Sequence, residues 1–152
     1  MTTGDREIVV SRVIEGPRAL VFEAYTSAQH LDRWYGPAGF RTTTHAFEFR
    51  TGGVWEFTMH GPDGADYPNR IEWLEIVPPQ RIVYRHGERA ADPRAFVSTV
   101  TLVEHGRATE VTLRAVFPTK EQRDEAVERY HAIERGRQTL AHLAAYVARR
   151  AL

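Results

Sequence analysis

Residues 120–150 read KEQRDEAVERYHAIERGRQTLAHLAAYVARR, and this stretch decides the fold. Ala126, Tyr130, Ile133, Gly136, Leu140, Leu143 and Val147 recur in alternating steps of three and four, which predicts one amphipathic helix from Lys120 to about Arg150. Thr119, with Gln122 three residues on, supplies a capping box at its start. Such a face can act as a coiled-coil seam, but it is short and broken by Gly136. Packing onto the chain's own sheet is the stronger reading. Nearly everything in the middle of the chain reads as strand. One helix laid across a curved antiparallel sheet cannot fill its concave side, so the pattern predicts a cavity, and a cavity suggests a small apolar ligand.

Working back toward the N-terminus, Arg6 to Ile14 is rich in β-branched residues and reads as a first strand. Gly16-Pro17 breaks it, and Leu20, Val21 and Ala24 mark a short helix from Pro17 to Tyr25. Ser27 N-caps a second short helix carrying Leu31 and Trp34, ended by Gly36-Pro37. Six strands follow: Phe40 to Phe49, Val54 to His60, Tyr67 to Val77, Arg81 to His86, Phe96 to Val103 and Thr109 to Phe117. Gly52-Gly53, Gly61-Pro62-Asp63-Gly64, Pro78-Pro79 and His105-Gly106 punctuate them.

A chain of 152 residues is one domain, spanning 1–152 with its core at about 6–150, and is long enough to bury roughly 70% of its unfolded surface. Apolar content of 42% and charged content of 26% are ordinary globular values. The formal net charge is zero and no basic cluster stands alone, which argues against a nucleic-acid partner. Lys120 is the one lysine, a bias that GC-rich coding explains. Cysteine is absent, so disulfides, thiolate metal sites and cysteine nucleophiles are excluded together. The first residues have no apolar signal region, and no run approaches the roughly 20 apolar residues of a membrane span. A cytoplasmic protein is the expectation.

Four segments carry a resemblance. They are Ala19-Leu-Val-Phe-Glu-Ala-Tyr-Thr, His30-Leu-Asp-Arg-Trp-Tyr-Gly-Pro, Phe47-Glu-Phe-Arg-Thr-Gly-Gly-Val-Trp and Glu75-Ile-Val-Pro-Pro-Gln-Arg-Ile-Val-Tyr. In this order, over nearly the whole chain, they resemble the bacterial SRPBCC proteins related to the activator of the heat-shock-protein-90 ATPase. The resemblance implies an α+β helix-grip, START-like fold: a curved antiparallel sheet of about seven strands, two short helices, and a long C-terminal helix enclosing a cavity. Its functional implication is broader, since the family includes ligand-sequestering proteins and co-chaperone-like domains. Glu48 stands where an aspartate is common in the family and Ile71 where a glycine is. The second change, if Ile71 faces inward, narrows the cavity.

Strand parity selects the candidate ligand-binding residues. Trp55, Phe57 and Met59 share one face, and on the preceding strand Thr43, His45, Phe47 and Phe49 share another. Tyr67, Asn69, Ile71 and Trp73 form the preferred inward set of the next strand, while Pro68, Leu74 and Ile76 argue for the opposite parity. Phe96 and Ser98 continue the wall, with Phe117 further on, Trp34 at the open end, and Tyr130, Ile133 and Gly136 on the helix. The main cavity is expected between helix and sheet, lined by Trp55, Phe57, Met59, Trp73 and Phe117. Gly136 is read as leaving ligand space against the helix backbone, the alternative being close contact with the sheet.

The seven histidines form no His-x-x-x-His or His-x-His pair, so no metal site is expected, and no cofactor is called for. Gly-x-Ser-x-Gly and phosphate-binding glycine patterns are absent. Three readings follow. A module binding a small hydrophobic or aromatic molecule is preferred. A co-chaperone-like interaction domain is second, with a chaperone partner or a homodimer left open. An enzyme of cyclase, dehydratase or hydrolase type, using His45 with Tyr67 or Tyr130 as cavity acid or base, is third.

Overall fold

The computed structural model describes residues 4–150. Strand β1 (Glu7–Glu15) leads into helices α1 (Arg18–Glu23) and α2 (Ala28–Trp34). The strands β2 (Arg41–Phe47), β3 (Val54–His60), β4 (Asp66–Val77), β5 (Arg81–Gly87), β6 (Phe96–His105) and β7 (Ala108–Val116) come next. Helices α3 (Lys120–Glu128) and α4 (Ala132–Arg150) close the chain. All seven strands form one antiparallel sheet, ordered β1-β7-β6-β5-β4-β3-β2, with α4 packed over β1. This is the helix-grip arrangement expected from the sequence.

Local chemistry starts the helices where the sequence puts them. The Ser27 hydroxyl accepts from His30 N at 3.2 Å, and Thr119 Oγ1 accepts from Gln122 N at 3.1 Å, each satisfying one donor of a first helical turn. The capping box is only half formed, because the Gln122 side chain donates to the Arg94 carbonyl instead of turning back. The indole of Trp34 donates to the Ala24 carbonyl at 3.0 Å and so locks α2 onto the end of α1.

The C-terminal segment is two helices rather than one. The chain turns at His131, whose φ is +54°, and α4 begins at the next residue. No glycine or proline marks the break. It lets α3 pack on the 3-10 turn Gly4–Arg6, where Arg123 donates to the Glu7 carbonyl at 3.2 Å, while α4 follows its own line over β1. Tyr130 thereby leaves the apolar face and is 47% exposed, with the Arg129 guanidinium over its ring.

Gly136 is a packing contact. A Cβ placed there meets Val10 Cγ2 on β1 at 3.3 Å, which answers the sequence-level choice in favour of close approach to the sheet. Gly136→Leu is therefore expected to lose about 1–3 kcal/mol through overpacking. A urea midpoint equal to or above that of the parent protein would show open space at this position.

Candidate functional site

Two β-bulges decide which side chains reach the concave face. In β2 the register slips between Thr44 and Ala46, so Thr42, Thr44 and Phe47 oppose Met59, Phe57 and Trp55. His45 is the extra residue. Its ring sits on the convex side, exposed, with Nε2 2.7 Å from Thr58 Oγ1. A strict two-residue period had placed it inward with Phe47, and the bulge is why that fails. In β4 a second slip lies between Trp73 and Glu75. Before it Tyr67, Asn69, Ile71 and Trp73 pair with inward residues of β3 and β5; after it Ile76 faces Ile82. The preferred inward set holds as far as Trp73; of the residues that argued for the opposite parity only Ile76, beyond the bulge, turns inward, while Pro68 pairs with Thr58 on the other face.

Trp55, Phe57 and Trp73 are each 0–1% exposed and form a sealed aromatic stack. The Trp55 and Phe57 rings stand 3.8 Å apart, and Trp55 and Trp73 lie parallel at 6.4 Å. Phe47 presents its edge to both tryptophans. The helix–sheet interface is filled at this point. Ile71, 1% exposed, adds to the filling. Grooves open elsewhere: one of about 710 Å³ lies between α2 and the end of α4, and a second of about 260 Å³ adjoins it.

The concave face is less completely covered at its other end, where Met59, Asn69, Phe96 and Ile133 are half-buried and Tyr67 is exposed. Here the structure adds a residue absent from the sequence-derived set. His86 follows Ile82 and Tyr84 on the inward face of β5, and its Nε2 is 2.7 Å from Asn69 Oδ1. Asn69 Nδ2 donates to the Tyr67 carbonyl at 3.0 Å, which fixes the amide with its oxygen toward the imidazole. His86 must then carry its proton on Nε2, leaving Nδ1 as a lone-pair acceptor without a partner among the described residues. Phe96, Phe57 and Tyr84 surround the ring at centroid distances of 5.0, 6.0 and 6.2 Å. Some ring surface stays open, but this enclosure dominates, and desolvation pushes the pKa down to about 4. An unfolded histidine protonates near 6.5, so acidification from there toward 4 costs the folded state stability.

The hydroxyls of Tyr35 and Ser98 approach that of Tyr84 behind this pair. Burial raises the pKa of both tyrosines, so they remain neutral donors and acceptors. Phe96 stacks on Phe117 at 4.9 Å and extends the apolar wall. Of the residues selected from sequence, Met59, Tyr67, Asn69, Phe96, Ser98 and Phe117 thus border one region on the sheet, and Ile133 lies on the apolar face of α4. Trp34, Phe47, Trp55, Phe57 and Trp73 belong to the packed core around it, and His45, Tyr130 and Gly136 lie elsewhere. His86, Tyr84 and Tyr35 were missed. The alternation Ile82, Tyr84, His86 would have found two of them.

Among the described residues no three metal-ligating side chains gather, and no helix is long and apolar enough to cross a membrane.

Comparison with known proteins agrees with this architecture. A structure from Nitrosomonas europaea superposes with a TM-score of 0.87 at 22% identity, over 96% of each chain. A solution structure from Arthrobacter aurescens gives 0.88 at 20% identity, covering 98% of this chain and 90% of that one. One from Chromobacterium violaceum gives 0.81 at 24%, covering 93% and 96%. Identities this low speak to the fold alone. No curated protein matches the chain. The family model described as "Activator of Hsp90 ATPase homolog 1-like protein" matches residues 15–148, nearly the whole molecule, and the chain belongs to that family.

Proposed function

We propose that the protein binds a small aromatic molecule bearing a hydrogen-bond donor, such as a phenol, on the open end of the concave face. The observation that carries this reading is His86, a neutral imidazole with its tautomer fixed by Asn69 and its other nitrogen unpartnered within an aromatic wall. Binding sites for small molecules have this composition, mostly apolar with a few placed polar groups. A donor on the ligand satisfies Nδ1, and the flat ring lies against Phe96 and Phe117.

The test is a titration with soluble phenols, read by tryptophan emission and melting temperature. His86→Leu is expected to weaken phenol binding about tenfold, the worth of one hydrogen bond in a desolvated site. With the His86 pKa at about 4, affinity should be flat from roughly pH 5.5 to 8, as expected for a group titrating well below that range. Phenols that change neither signal, or bind the variant as well as the parent, overturn the proposal.

A further inference from the structure

The grooves beside the end of α4 differ in chemistry from the concave face. The larger is bordered by His30, Asp32, Arg33, Tyr146, Arg149 and Arg150. The narrower shares Asp32 and Arg33 and continues past Tyr35, Phe40 and Arg41. A protein of zero formal charge has no general excess of cations, so an uncompensated group of arginines is a local feature.

The ion pairs show that it is uncompensated. Glu23 is held by Arg150 at 2.8 Å and lies 3.5 Å from His30. Asp32 Oδ1 accepts from Thr44 Oγ1 at 2.6 Å. Arg33, Arg41 and Arg149 have no ion-pair partner among the described residues and line the same joined grooves, whereas other arginines without one, such as Arg12 on β1 and Arg107 at the β6–β7 turn, stand apart. Two helices, α2 and α4, end at this place, and each contributes roughly −0.5 charge at most. Three unpaired guanidiniums, with that of Arg135 over the Phe40 ring at 5.4 Å, outweigh Asp32 and these two ends, so the place is net positive. Guanidinium offers a planar donor fork matched to carboxylate, and a groove with low-dielectric walls concentrates its field.

We propose that these joined grooves bind an organic carboxylate, its head at Arg33 and Arg149 and its flat apolar body along Phe40 and His142. The arginines that hold the carboxylate line grooves to which His86 does not contribute, although Phe40 adjoins Tyr67 at 6.0 Å, and the variants tell the two sites apart. The chain is titrated with 2-naphthoate, 2-naphthol and inorganic phosphate at low ionic strength, read by calorimetry and melting temperature. Naphthoate should bind, should weaken as salt is added, and should lose at least about tenfold in affinity in Arg33→Gln/Arg149→Gln, whose side chains are exposed and not part of the core. Arg107→Gln, an exposed arginine at the β6–β7 turn without an ion-pair partner among the described residues, should change nothing. His86→Leu should weaken naphthol and leave naphthoate unaltered, which separates the two sites. No naphthoate binding, binding indifferent to the double variant, or phosphate binding as tightly as naphthoate overturns the proposal.

Discussion

Trp55→Ala is expected to remove about 3–5 kcal/mol of folding stability, seen as a lower urea midpoint at unchanged slope. In a domain of this size that lowers the melting temperature by roughly 6–20 °C. Trp55 has no exposed surface, stacks on Phe57 at 3.8 Å, and donates from Nε1 to Thr44 Oγ1 at 3.0 Å. Truncation removes the ring, leaves a void between Phe57 and Trp73, and frees Thr44 of one partner. The void is the larger loss, since Thr44 keeps its bond to Asp32. A cost near or below about 1 kcal/mol would mean that the tryptophan lines a cavity, as the sequence reading supposed, and not a close-packed core.

The difference between those two readings of Trp55 shows what a sequence can carry. Element order was legible because each signal is local. Ser27 and Thr119 cap helices by reaching a backbone N–H three residues away, and both do so in the structure. Alternation along Val54–His60 places Trp55 and Phe57 inward without reference to any other strand. The bulges at His45 and Leu74 have no such signal. Neither position is a glycine, and each bulge arises from how two strands pair, so a strict period carried His45 to the wrong face. The turn at His131 is similar. Nothing in Glu-Arg-Tyr-His-Ala ends a helix by itself, and the left-handed residue is stabilised by the separate packing of α3 and α4. Parity extended to β5 would have found His86, but its partnership with Asn69 depends on register across β4 and β5. The arginine-lined grooves were further out of reach, for they join α2 and the start of β2 to the end of α4, more than a hundred residues later in the sequence.

Gly53→Ala should cost at least about 3 kcal/mol, near the upper end for overpacking and more than Gly52→Ala. The two glycines are adjacent in the β2–β3 connection but differ in what constrains them. Gly52 has a φ of +86°, and a Cβ there meets only the far end of Arg50, Nη1 at 3.8 Å. Its cost is backbone strain alone, about 1–2 kcal/mol for an L-residue in the left-handed region. Gly53 has no positive φ and is buried. A Cβ there would overlap the Glu48 carbonyl oxygen and lie 3.0 Å from the Arg50 carbonyl oxygen. Those atoms cannot yield cheaply. Glu48 N bonds to the Val54 carbonyl at 2.9 Å, Gly53 N to the Arg50 carbonyl at 2.8 Å, and Trp73 N to the Gly53 carbonyl at 3.0 Å. Relieving the overlap means opening this group of bonds, and Trp73 is held in place through it. Urea midpoints of the two alanine variants measured side by side decide the matter. Gly52→Ala proving the more damaging would show that backbone conformation, not the space beside Glu48, selects glycine at this connection.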